Sequence, residues 1–64
     1  MSPDAFRAWQ SHVGLSGREI AVALGKSEDT IVTYRLRGVP ERESKIVRLA
    51  LQALAHELPP WPEQ

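Results

Sequence analysis

Cysteine is absent from this chain, so neither a disulfide nor a cysteine-based zinc site can stabilise it. Long apolar runs are absent as well. None approaches the roughly 20 residues a membrane-spanning helix needs, and no signal-peptide pattern opens the sequence. A cytoplasmic protein without a membrane partner is expected. Net charge is missing too: 8 Lys and Arg balance 8 Asp and Glu. Nothing global therefore draws the chain towards nucleic acid, and any basic surface must arise from uneven distribution. Catalytic constellations are equally scarce. The two histidines bear no spacing relation, and there is no cysteine nucleophile and no glycine-rich phosphate loop. Glu28 and Asp29 are adjacent rather than a turn apart, so they do not converge as paired acids would. No enzyme activity, cofactor, metal or small-molecule substrate is expected. Finally, length is short: 64 residues allow one domain with a small core, close to the size at which stability is marginal without help. With no covalent or metal staple, association with a second copy is the remaining source of burial.

What is present centres on residues 17 to 36, GREIAVALGKSEDTIVTYRL. Ser16 and Glu19 have the spacing of a capping box, the reciprocal side-chain pairing that opens a helix. Ile20, Ala21 and Leu24 then recur at the period of one buried helix face. Gly25 suits the left-handed conformation that ends helices. Ser27 is a second N-cap candidate, with Glu28 and Asp29 in the first turn, where the helix dipole favours negative charge. Ile31 and Tyr34 carry the apolar spacing onward. Two helices this short need a scaffold, and together they read as a helix-turn-helix.

The string LSGREIAVALGKSEDTIVTYRLRG resembles the helix-turn-helix of lambda-repressor and Cro-like regulators. Ala21, Gly25 and Ile31 match that family's small residue, turn glycine and buried β-branched residue, and the likeness extends over about residues 4 to 54. There are three departures. Gly17 stands where many members have a phosphate-bracing glutamine, Arg35 replaces a frequent glutamate, and one extra residue separates Tyr34 from Gly38. The resemblance implies a dimeric, sequence-specific DNA-binding transcription regulator of the compact phage or mobile-element type, the anti-CRISPR-associated autorepressors included. Repression would act by occluding a promoter at an inverted-repeat operator. In the family, positions matching Glu28, Asp29 and Thr33 are frequent base contacts.

Elsewhere the chain reads as helical. Ser2-Pro3-Asp4 is a helix start, Phe6, Trp9 and Val13 mark one face, and Gly14 ends it. Trp9 and Phe6 are read as core. Gly38 and Pro40 close the third helix. A fourth helix spans about residues 42–58, with an apolar arc from Ile46 to Leu58 wider than the roughly 100° stripe of a surface helix. That excess points to a homodimer through Leu51, Leu54, Leu58 and Trp61. The tail at 59–64, rich in proline, should be extended, with Trp61 folded against its own or a partner's surface. The whole, residues 1–64, is expected to be a single all-α domain of four, at most five, helices.

Base reading falls to the face of the third helix opposite Ile31 and Tyr34. Ser27, Glu28, Asp29 and Thr33 are the candidates there, with Arg35 offering a donor for guanine. Arg18, Lys26, Thr30, Arg37 and Arg42 surround that helix and are the candidates for phosphate contacts on double-stranded DNA. A different reading keeps the fold but uses the apolar fourth helix and the Pro-Trp tail to grip another protein. The acidic start of the third helix and the zero net charge favour it.

Overall fold

Local signals start and stop three of the four helices. In the computed structural model, which describes residues 1–63, Ser2 caps α1 (Pro3–Val13) by accepting the Ala5 N–H at 3.1 Å, and Gly14 ends it in the left-handed region. Ser16 and Glu19 form the reciprocal capping box of α2 (Gly17–Leu24), at 3.1 and 2.9 Å. Gly25 then takes a φ of 67°, Lys26 donates to the Ala21 carbonyl at 2.9 Å, and Gly25 donates to Val22 at 3.3 Å. This is the double closure of a Schellman turn. Ser27 caps α3 (Glu28–Arg37), and Gly38 follows. No strand occurs among the described residues, so the domain is all-α, as expected. Among the described residues, no helix is long and apolar enough to cross a membrane.

α4 (Glu41–Ala55) obeys other rules. Pro40 precedes it and gives no side-chain cap. The helix stops at Ala55, a turn short of the expected 58. His56 and Glu57 close it instead, with Glu57 at a φ of 56° and the Leu58 N–H donating to Ala53 at 2.9 Å. Pro59 keeps Leu58 out of helical conformation, and the left-handed turn at Glu57 ends the helix before that point.

The core is assembled from all four helices. Phe6, Ile20 and Ile31 are fully enclosed, with Ala21, Tyr34, Val39, Val47 and Leu51 around them. The Phe6 ring lies 5.6 Å from Tyr34, edge to face, and 5.9 Å from Trp9. Trp9 is half-buried against this cluster, in keeping with a packing role, although its Nε1 is buried without an acceptor among the described residues. α3 packs on both α1 and α2, so its position is fixed from two sides.

Two features were not visible in the sequence. Val39, between a glycine and a proline, is buried, and its N–H donates to the Met1 carbonyl at 2.9 Å. The Met1 nitrogen in turn donates to the Val39 carbonyl and to the buried Ser44 hydroxyl, both at 3.3 Å. The chain start thus stitches the α3–α4 corner. Gly38 is required there twice over: its φ is 85°, and a Cβ would come within 2.4 Å of the Met1 carbonyl oxygen.

Leu51 corrects the expected dimer surface. It is 2% exposed, on the same side of α4 as Val47, and is core rather than interface. Leu54 is half-buried, while Leu58 lies exposed beyond the helix. Trp61 is 92% exposed and does not fold back on its own chain. The last residue of the expected tail, Gln64, lies outside the described residues.

Candidate nucleic-acid interface

The turn Gly25-Lys26-Ser27 sets the geometry between α2 and α3. Ile31 and Tyr34, three residues apart, turn one side of α3 into the core, and the opposite side stays uncovered. Glu28, Asp29, Val32, Thr33 and Leu36 are all exposed there. The structure therefore brings together four of the expected base-reading positions, Ser27, Glu28, Asp29 and Thr33, at the start and along the outer face of α3.

Arg35 does not join them. It stands one turn beyond Ile31, on the flank that α1 covers, and its guanidinium donates to the Gln10 side-chain oxygen. Its carbonyl accepts from Arg7 Nη1 at 2.8 Å, and Arg7 also pairs with Asp4. Arg35 thus ties α3 to α1, at the edge of the outer face, with its side chain exposed.

Hydroxyls near the start of α3 are committed locally. Ser27 Oγ accepts the Thr30 N–H at 3.2 Å and lies 3.0 Å from Thr30 Oγ1. Thr30 is half-buried, so it is poorly placed for the phosphate role expected of it. The Thr33 hydroxyl donates to the Asp29 carbonyl at 3.0 Å. Arg18, Lys26, Arg37 and Arg42 are exposed, on α2, in the turn, at the end of α3 and at the start of α4. Arg18 Nε lies 3.9 Å from Glu28 Oε1, so the acid nearest the helix start has a cation beside it. Both side chains are solvated, which limits that pair to a small energy.

Two acidities bear on the frame that holds this face. The Glu19 carboxyl sits below its ordinary value because the Ser16 N–H, and then the Ser16 hydroxyl, bind its charged form. The Tyr34 phenol is raised by burial first and by the Glu43 carboxylate second, to which it donates at 3.4 Å.

A second uncovered surface lies behind this face. An open groove of about 490 Å³ runs between α2 and the end of α4, lined by Val22, Leu24, Ala50, Ala53, Leu54 and Leu58 among others. Ile46 and Leu49, on the outer side of α4, are also exposed.

Searches against protein-family profiles, curated protein sequences and solved structures each returned no match.

Proposed function

We propose that this chain is a sequence-specific DNA-binding transcription regulator, a cytoplasmic homodimer that represses by occupying an inverted-repeat operator. The observation that carries the reading is the uncovered outer face of α3, held by a capped and glycine-terminated α2–α3 pair with cations at both of its ends. In a helix-turn-helix of this kind the second helix enters the major groove and its neighbours touch phosphates. Lys26 before α3 and Arg37 at its end suit that task, as do Arg18 and Arg42. The resemblance of residues 15 to 38 to lambda-repressor and Cro-like regulators supports the same reading. On this reading the protein acts by binding, with no catalytic step and no cofactor. Its second copy would meet the outer face of α4 and the tail, through Ile46, Leu49, Leu54, Leu58 and Trp61, Leu51 being core.

A mobility-shift titration with DNA flanking the chain's own gene tests the proposal. A defined shifted species is expected, weakening as salt rises. Lys26→Ala and Arg37→Ala should each weaken binding to all sequences alike and lower the salt slope by about one. No shift on that DNA, with unchanged slopes in both variants on any duplex that does bind, would sink it.

One observation favours a second reading. The outer face of α3 combines two carboxylates with exposed Val32 and Leu36, which would suit a basic, partly apolar protein partner. Such a partner would bind without DNA and would compete with no operator fragment.

A further inference from the structure

The outer face of α3 is poor in hydrogen-bond donors. Ser27 and Thr30 have their hydroxyl oxygens 3.0 Å apart, so one of their two hydroxyl protons is held between them and the other stays free at the start of the helix. The Thr33 hydroxyl proton goes to the Asp29 carbonyl, leaving that oxygen able only to accept. The Arg35 guanidinium lies on the α1 flank, against Gln10. What faces outward is the carboxylates of Glu28 and Asp29, which are acceptors only when ionised, together with Val32 and Leu36, 51% and 68% exposed. The last two stand four residues apart, hence on one side of the helix.

Resting on the DNA-reading proposal above, we propose that α3 reads the amino and methyl edges of the major groove and excludes guanine from its contacts. Adenine N6 and cytosine N4 present hydrogens that a carboxylate accepts, and thymine presents a 5-methyl that Val32 or Leu36 can cover. Guanine offers only O6 and N7 there, both acceptors, and along the middle of this face Asp29, Val32, Thr33 and Leu36 offer it no side-chain donor. A carboxylate opposed to those oxygens repels them, so rejection contributes to the selection as much as attraction does. The spacing sharpens the expectation. Four residues of helix rise about 6 Å, close to two base steps of about 3.4 Å each. Val32 and Leu36 therefore match two thymine methyls about two steps apart, beyond an adenine or cytosine contacted by Asp29 or Glu28. Attraction to the backbone comes from the ends of the helix, where Lys26 and Arg37 stand.

Selection of binding sites from a random duplex pool with the full chain, followed by base-analogue substitution in the selected site, tests this. Each contacted thymine replaced by uracil should weaken binding about fourfold, the value of one buried methyl. Val32→Ala and Leu36→Ala, both at exposed positions, should each blunt that sensitivity at one thymine. Guanines replaced by 7-deazaguanine should leave affinity unchanged. A selected motif that tolerates uracil throughout, or that loses affinity with 7-deazaguanine under α3, would overturn the inference and leave DNA reading intact. A pool that yields no enriched motif would overturn both.

Discussion

The α2–α3 pair and α4 are built by different means. α2 and α3 each open on a serine whose hydroxyl accepts a backbone N–H, and each is followed by a glycine at positive φ. α4 opens on a proline without a side-chain cap and closes through Glu57, a residue with a Cβ, at a φ of 56°. Their outer faces differ as well. That of α3 is acidic with two exposed apolar residues, whereas α4 exposes Ile46 and Leu49 among Arg42, Lys45 and Arg48. The pair is fixed by local hydrogen bonds, which hold a presented face at a set angle. α4 is fixed by what it buries, Ser44, Val47 and Leu51, and so depends on the rest of the core. A face presented at a set angle needs the first kind of construction, and a helix that buttresses a core can use the second.

The inner and outer sides of α4 give the largest contrast. Leu51→Glu puts a charge into the enclosed core and should abolish folding, since an unpaired buried carboxylate costs several kcal/mol, comparable with the whole stability of a small domain. Leu49→Glu, two residues away on the exposed side, should leave the helical circular dichroism intact and, on the proposed homodimer, alter only the sedimentation of the protein, from dimer to monomer. If Leu51→Glu folded normally, the packing of α4 described above would be wrong. If Leu49→Glu left a dimer, association would have to use another surface.

Next comes the corner between the two regions. Gly38→Ala places a Cβ 2.4 Å from the Met1 carbonyl and 3.0 Å from the Pro3 ring, at a φ of 85°. Gly25→Ala, at a φ of 67° and a ψ of 32°, meets only the left-handed strain, in open space, whereas the φ of 85° and ψ of 179° at Gly38 are essentially closed to a residue with a Cβ. The second should cost about 1–2 kcal/mol, the left-handed strain alone, and the first clearly more, because backbone must also move. Equal losses in urea melts would mean that the chain start does not pack at that corner.

These contrasts also locate what the sequence could and could not reveal. Ser16, Glu19, Gly25 and Ser27 act on neighbours within five residues, so the α2–α3 pair, its bounds and the outward position of Glu28, Asp29 and Thr33 were all legible. Helical period also identified Phe6, Ile20, Ile31 and Tyr34 as core. Burial of Val39 and Ser44 was not legible, because both meet Met1, 38 and 43 residues away along the chain. The broad apolar arc of α4 announced two faces without saying which leucine belonged to which, and Leu51 was assigned to the wrong one. The Arg35–Gln10 contact was not legible for a related reason: the two are 25 residues apart, and only packing of α1 on α3 brings them together.

A smaller effect is expected at the end of α4. Glu57 occupies the position that Gly25 holds after α2, with the same pair of closing bonds: Leu58 to Ala53 at 2.9 Å and Glu57 to Leu54 at 3.0 Å. Glu57→Gly should therefore stabilise the domain by up to about 1 kcal/mol, by removing left-handed strain and a negative charge from a helix C-terminus. A fall in melting temperature would mean that the Glu57 carboxylate has a favourable role outweighing both.

The smallest effect separates the two regions by pH. At the start of α2, Glu19 is held in its charged form by the Ser16 N–H and hydroxyl, and its folded carboxyl lies below the ordinary 4.5. A depressed carboxylate contributes stability above its unfolded value and loses it as pH falls through the folded one. The capping box should accordingly weaken in acid, from just below pH 4.5 downward, while the start of α4, which has no side-chain cap, feels no such change. Amide hydrogen exchange compared at pH 6 and pH 3.5, corrected for intrinsic rates, reads the two helix starts separately. Protection in the first turn of α2 should fall relative to that of α4, and Glu19→Gln, which can accept the same N–H without titrating, should remove the difference. Because Glu19 is solvent-exposed, the loss should be modest, a local fraying with little change in the global melt. Equal acid loss at both helix starts would show that general charge repulsion, with the carboxylates protonated and the cations unopposed, sets the response, and that the α2 cap is not the pH-sensitive element.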